Sequence, residues 1–172
     1  MKILVISDTH GRIKKAEEVI GLYKGKINKV IHLGDITEDV ENLKRIYNDV
    51  DFYNVAGNND YGSDRPYDDM LFLNGRRILI THGHRHGVNG GLLRLCLWAD
   101  EKNADIVIFG HTHVPAYEMY NGIMAVNPGS LSLPRSTSFP TFGILNLEDC
   151  GINDFIVYEY LGQGKVRRLE SF

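Results

Sequence analysis

Seven residues of this chain share one kind of position. Asp8, His10, Asp35, Asn58, His82, His111 and His113 each stand just beyond a short apolar run. Ile3–Ile6 leads into Asp8 and His10, Val30–Leu33 into Asp35, Phe52–Ala56 into Asn58, Ile78–Ile80 into His82, and Ile106–Phe109 into His111 and His113. Carboxylate, imidazole and amide donors without thiolate form a hard-to-borderline set. They suit Mn²⁺, Fe²⁺, Ni²⁺, Zn²⁺ or Mg²⁺ in a reactive site rather than a structural zinc site. Seven donors exceed what one ion takes while keeping positions open for substrate, so two divalent ions sharing a carboxylate fit better. Gly11, Gly34, Gly57, Gly83 and Gly110 each flank one of these residues, letting the backbone turn sharply and pass close to a ligand.

For this set to meet, the apolar runs must be strands whose ends lie side by side. Ile3–Ile6 and Ile106–Phe109 are apolar on both faces, as in a parallel sheet covered by helices. Ile13, Ala16, Val19, Ile20 and Tyr23 recur at helical spacing and predict a helix over residues 13–24. Val40, Leu43, Ile46 and Tyr47 predict a second helix, and Leu92, Leu95, Cys96 and Ala99 a third. Alternation of strands with helices implies right-handed crossovers and a parallel sheet. In open sheets of that kind, ligands bind outside the carboxyl ends of the strands. Residues 58–69 read as a polar loop. Farther on, Tyr117–Tyr120, the turn Asn121-Gly122 and Ile123–Val126 give a hairpin signal. Phe142–Leu147, Phe155–Tyr160 and Val166–Leu169 read as further strands. The expectation is a single α/β domain over 1–172, with a parallel α/β half and an antiparallel half.

Composition narrows the function classes. A chain of 172 residues buries roughly 70% of its unfolded surface and needs no disulfide staples. With 43% hydrophobic and 24% charged residues it is not a disordered chain. Nineteen Lys plus Arg against 22 Asp plus Glu, a formal charge of -3, argue against strong nucleic-acid binding. The isolated pairs Arg76-Arg77 and Arg167-Arg168 do not form a basic track. Met1-Lys2 precedes an apolar run too short for a signal peptide, and no later run approaches the roughly 18 residues of a membrane span. Cys96 and Cys150 stand in no metal-like or redox-like spacing. A cytoplasmic chain with free thiols and no membrane partner is expected.

Asp8-Thr9-His10, Gly34-Asp35, Gly57-Asn58-Asn59-Asp60, His82-Gly83 and Gly110-His111-Thr112-His113 stand in the order of the calcineurin-like metallophosphoesterase family. With Ser7–Gly11, Thr81–His84 and Asn127–Ser130, the chain resembles its small single-domain bacterial and archaeal phosphodiesterase branch over residues 3–135. The resemblance implies a four-layer α-β-β-α sandwich with two mixed sheets and a dinuclear site at the strand ends. Asp8, His10 and His113 would hold one ion, Asn58, His82 and His111 the other, and Asp35 would bridge them, with Mn²⁺ the first choice. It implies hydrolysis of a phosphoester, a small phosphodiester before a monoester, by in-line attack of a metal-bridging hydroxide. Two ions about 3.5–4 Å apart lower the pKa of a shared water and clamp the phosphoryl group.

One position departs from the family pattern. Its third motif carries a histidine where this chain has Asn59, which donates a hydrogen bond but cannot transfer a proton near neutral pH. Monoesters with poor leaving groups should suffer most, and diesters with stable leaving groups should be tolerated. His84 matches the phosphodiesterase branch and joins Asn59 as a candidate for substrate contact or proton transfer.

Plainer readings exist for each residue alone. Asp8 and Asp35 could be turn or helix-cap residues, and Asn58, Asn59 and Asp60 ordinary loop residues. Together they would make every strand end a coincidence. His32, inside an apolar strand, reads as a satisfied core histidine and His86 as solvated. Arg12 is balanced between phosphate contact and exposure, and Asn127–Ser130 between shaping a wall and touching substrate. Tyr117, Tyr120, Tyr158 and Tyr160 read as sheet packing. A second functional class is a protein-binding scaffold, because the fold also resembles the retromer scaffold subunit, whose metal site is eroded. Retention of all seven coordinating side chains favours the enzyme. A nuclease would need DNA-holding domains for which this chain has no room. The expected partner is a small phosphodiester substrate, with homo-oligomer formation left open.

Overall fold

Four residues of the first strand set the architecture. Ile3 and Val5 face one buried cluster while Leu4 and Ile6 face another, so this strand has apolar layers on both sides. The computed structural model describes residues 1–149 and 153–170, and Cys150 lies outside them. In chain order the elements begin β1 (Lys2–Ile6), α1 (Lys14–Leu22), β2 (Lys29–His32), α2 (Thr37–Ile46), β3 (Asp51–Asn54), β4 (Asp68–Leu73) and β5 (Arg76–Thr81). They continue α3 (Leu93–Glu101), β6 (Ile106–Phe109), β7 (Pro115–Tyr120), β8 (Ile123–Pro128), β9 (Thr141–Asn146), β10 (Asp154–Gly162) and β11 (Lys165–Arg168).

The strands form two mixed sheets, ordered β11-β10-β9-β1-β2-β3 and β4-β5-β6-β8-β7. β1, β2 and β3 run parallel, whereas β9 lies antiparallel against β1. In the second sheet β5, β6 and β8 run parallel, with β4 and β7 antiparallel at the edges. The sheets pack face to face: Ile3, Val5 and Ile31 of one meet Ile78, Ile80 and Ile106 of the other. Each such side chain taken out of water contributes about 1.5–3 kcal/mol before entropy is counted. Ala16, Val19 and Ile20 of α1 and Leu43 of α2 cover the outer face of the first sheet. Leu95, Cys96 and Ala99 of α3 cover that of the second. This is the α-β-β-α sandwich with two mixed sheets.

Two expectations are corrected. The chain does not divide into a parallel half and an antiparallel half, because each sheet recruits strands of both kinds. The stretch read as a polar loop ends earlier than expected: β4 begins at Asp68 and pairs with β5 around Asn74-Gly75. Among the described residues no helix is long and apolar enough to cross a membrane.

Candidate metal centre

The backbone marks the site before any side chain is considered. Nine non-glycine residues among those described have positive φ. Four of them, Asn74, Asn103, Asn121 and Gln163, sit in turns. The other five are Asp8 (φ 55°), His10 (51°), Asp35 (91°), His111 (68°) and His113 (60°). Left-handed backbone at non-glycine residues costs of order 1–3 kcal/mol each and persists only where its surroundings enforce it. Here they do. Ser130 Oγ donates to Asp8 O at 2.9 Å, and Asn127 Nδ2 donates to Gly110 O at 2.9 Å and to Thr112 Oγ1 at 3.1 Å. Asp60 accepts from Gly57 N at 2.7 Å and Thr37 N at 2.6 Å, tying the end of β3 to the start of α2. Gly57 has no room for a side chain, since a Cβ there would fall 2.3 Å from Asp35 N.

The seven donors gather where the two sheets meet. Around Asp8, the Oδ1 atom lies 3.2 Å from His113 Nε2, which lies 3.1 Å from His10 Nε2. Around Asn58, the Oδ1 atom lies 2.9 Å from His82 Nε2 and 3.0 Å from His111 Nδ1, and those two nitrogens are 3.3 Å apart. Asp35 touches the first group through His10, its Oδ2 2.6 Å from His10 Nδ1. Asp8 reaches toward the second, its Oδ1 3.9 Å from His82 Nε2.

These atoms fit divalent ions better than they fit one another. Asp8 Oδ1 and Asp35 Oδ2 are buried without a well-aligned hydrogen bond, and a buried carboxylate oxygen left so is costly. His82 Nδ1 and His113 Nδ1 each donate to a carbonyl, Leu33 O at 2.7 Å and Leu133 O at 2.8 Å. A neutral ring that donates at Nδ1 carries a lone pair at Nε2, and these lone pairs face the gathering. Adjacent donors around an ion with bonds of about 2.1 Å stand roughly 3 Å apart, the spacing found in both groups. Among the described residues, Asp8 with His10 and His113, and Asp8 with Asp35 and His82, each bring three ligand atoms within 4.8 Å of one another.

The charges are tuned by burial and by the cluster itself. Burial alone would raise the Asp8 carboxyl, but the adjoining His113 and His82 rings and the Ser7 hydroxyl hold it below its ordinary value. The Asp8 carboxylate in turn raises His113 against the effect of burial. Burial, then repulsion from His82, pushes His111 down.

The remaining expected residues have distinct places. Asn59 is exposed but donates to Asp35 Oδ1 at 2.6 Å. His84 stands at the side, its ring 5.4 Å from that of His82 and 6.1 Å from that of His111. Burial and those two neighbours push it down to about 4. Asn127 and Ser130 are fully buried, so they shape the wall. Arg12 is exposed. His32 is a satisfied core histidine: Gly34 N donates to its Nδ1 at 3.2 Å, leaving Nε2–H to reach Thr9 Oγ1 at 3.0 Å. His86, expected in solvent, is instead buried against Trp98, with Nε2 3.0 Å from Asp68 Oδ1.

Sequence reasoning missed three supports. Asp39, in the first turn of α2, reads as an ordinary helix-start acid, yet it is buried and accepts from Thr9 Oγ1 at 2.5 Å and Gly11 N at 2.9 Å. It holds the loop that carries His10. Asn89 places its side-chain amide 3.1 Å from His111 Nε2, outside the donor group. Arg135 brings a positive charge close enough to oppose protonation of His111 and His113.

Comparison with known proteins agrees with this geometry. Residues 1–150 match the calcineurin-like phosphoesterase superfamily domain. Over 150 residues the chain is 34% identical to the probable metallophosphoesterase YsnB of Bacillus subtilis, covering 87% of this chain and 86% of that one. It is 28% identical to the phosphodiesterase YfcE of Escherichia coli, over 85% and 88% of the two chains. A predicted phosphoesterase from Streptococcus pneumoniae superposes with a TM-score of 0.77 at 30% identity, over 98% of this chain and 96% of that one. Vps29 of Entamoeba histolytica, crystallised with Zn²⁺, superposes with a TM-score of 0.77 at 25% identity, over 98% and 97%. The strand-end donors, the two-sheet sandwich and the matched sequence place this chain in the calcineurin-like phosphoesterase superfamily.

Proposed function

We propose that this protein is a dinuclear, divalent-metal-dependent phosphodiesterase. In this reading Asp8, His10 and His113 surround one ion, Asn58, His82 and His111 the other, and Asp35 stands between them. The observation that carries it is the pair of donor groups, each with about 3 Å between neighbouring atoms, joined through two incompletely partnered carboxylates. When bound, the ions supply a water of lowered pKa and Lewis-acid stabilisation of the phosphoryl oxygens. Mn²⁺ is the first choice for this mixture of oxygen and imidazole donors, with Fe²⁺, Ni²⁺, Zn²⁺ and Mg²⁺ as alternatives.

The chain's own residues fix the geometry. Leu33 O and Leu133 O orient the rings of His82 and His113, an arrangement typical of ligand histidines. Asn59 holds Asp35 by its amide and has no proton to give. A leaving group must therefore depart as a stable anion, which favours aryl and other activated diesters over alkyl monoesters. His84, beside His82 and His111, is a further side chain for contact with the ester. The scaffold reading rests on the Vps29 structures, and the complete donor set of this chain weighs against it.

The test is hydrolysis of bis(p-nitrophenyl) phosphate by manganese-loaded protein. Asp35→Asn or His82→Ala should lower turnover by about a thousandfold or more, and wild-type-like turnover from either would overturn the assignment. A preference for unactivated alkyl monoesters would remove the role given to Asn59. Absence of both bound metal and turnover would return the scaffold.

A further inference from the structure

Residues 84–91 border two regions at once. On one side, His84 and Asn89 look toward His111. On the other, Arg85 and His86 border a cleft of about 890 Å³ whose opposite side is α3, with Leu93, Arg94, Leu97 and Trp98. One residue step, from His84 to Arg85, thus leads from the flank of the donor groups to the border of the cleft. Its volume falls in the roughly 300–1,000 Å³ range of small-molecule sites.

The lining specifies a chemistry. Leu93 and Leu97, one turn apart, are 62% and 45% exposed and form an apolar floor with Trp98. The indole is held from one side by His86, ring centroids 4.3 Å apart, and His86 is itself fixed by Asp68 at 3.0 Å. Asp68 is therefore already engaged. Arg94 lies one turn before Trp98 on α3 and Glu101 nearly one turn after it, so the positive and negative ends of the floor are opposed. Arg85 lies 4.8 Å over the ring of Tyr67, which meets His84 edge-on at 5.6 Å. Among the described residues neither Arg85 nor Arg94 takes part in an ion pair. An aromatic floor bordered by two guanidinium groups that no carboxylate pairs complements a flat ring bearing a negative charge.

The geometry points to this cleft as the subsite for the organic arm of the phosphodiester. That arm is an aromatic ring carrying a carboxylate or phosphate, seated on Trp98 with its charge toward Arg94 and Arg85. The role as a substrate arm rests on the function proposed above; the binding chemistry of the cleft does not.

Trp98 is the chain's one tryptophan, so its fluorescence reports on the cleft directly. p-Carboxyphenyl phosphate added to metal-free, full-length protein should quench it saturably, whereas methyl phosphate should not. Arg94→Glu, on an exposed position, should weaken that binding about tenfold with an unchanged melting curve. In manganese-loaded protein, p-nitrophenyl diesters with methyl, phenyl and carboxyphenyl second arms should rise in kcat/KM in that order, through KM. Arg94→Glu should collapse the carboxyphenyl-to-phenyl ratio. Turnover indifferent to the arm, or quenching indifferent to Arg94→Glu, would overturn the subsite. Saturable quenching without turnover of any diester would overturn the phosphodiesterase reading and the arm's role with it, while upholding the ligand chemistry of the cleft.

Discussion

The two donor groups differ in charge and in strain. Around Asp8, all three residues, Asp8, His10 and His113, have left-handed backbone, and one of them is a buried carboxylate. Around Asn58, only His111 is left-handed, and every donor is neutral in its metal-binding form. The first group concentrates negative charge and preset geometry, both of which favour a cation before it arrives. In the proposed arrangement the second would take its charge from Asp35, which also touches His10 of the first. On a fold with two such sites, ions should enter in order, first beside Asp8 and then beside Asn58.

Chelation tests that order with the largest effect. Ions that bind only the folded chain stabilise it by about 2.7 kcal/mol at a hundredfold excess over Kd. For a chain of this size that is a melting shift of roughly 5–10 °C. Treatment with EDTA should lower the melting temperature by that amount, and calorimetric return of Mn²⁺ should show two steps at least about tenfold apart in affinity. A single step with two equal sites would erase the asymmetry. Asn58→Asp should narrow it, tightening the second step by about tenfold through one added charge. If the first step tightens instead, Asn58 belongs with the other group. The smallest effect is expected from Asn89→Leu, which removes the outer partner of His111. The second step should weaken by up to about tenfold, while the melting temperature of the metal-free chain stays within about 1–2 °C.

Much of this was legible in the sequence because the signals were local. Ile3–Ile6 and Ile106–Phe109 carry apolar side chains on both faces, and they prove to be central strands between two layers. The residues after those strands could be read as donors because each sits at a chain reversal. What escaped depends on distant pairing. β9 joins β1 from the far end of the chain, so no local pattern could say that each sheet would mix directions. β4 hid because its polar start, Asp68-Asp69, extends a polar stretch and its Phe72 faces outward, 71% exposed. His86 looked solvated because the two residues that bury it, Asp68 and Trp98, lie on separate elements. Asp39 resembled any acid at a helix start, since its bonds to Thr9 and Gly11 cross between the loop after β1 and α2.

The close approach at Gly57 has an evolutionary consequence. A methyl group there would meet Asp35 N at 2.3 Å and Asp35 Cα at 2.4 Å, separations that atoms do not tolerate. The ends of β2 and β3 would have to part, carrying Asp35 and Asn58 away from each other. Leu33 and Val55, two residues before Asp35 and Gly57, belong to the apolar layer between the sheets, and the rest of that layer and the outer layer lie farther back. A lineage could therefore silence the chemistry of this fold without changing a single donor and keep its surface for other uses. In the reading proposed above, one carbon atom stands between a catalyst and an inert platform.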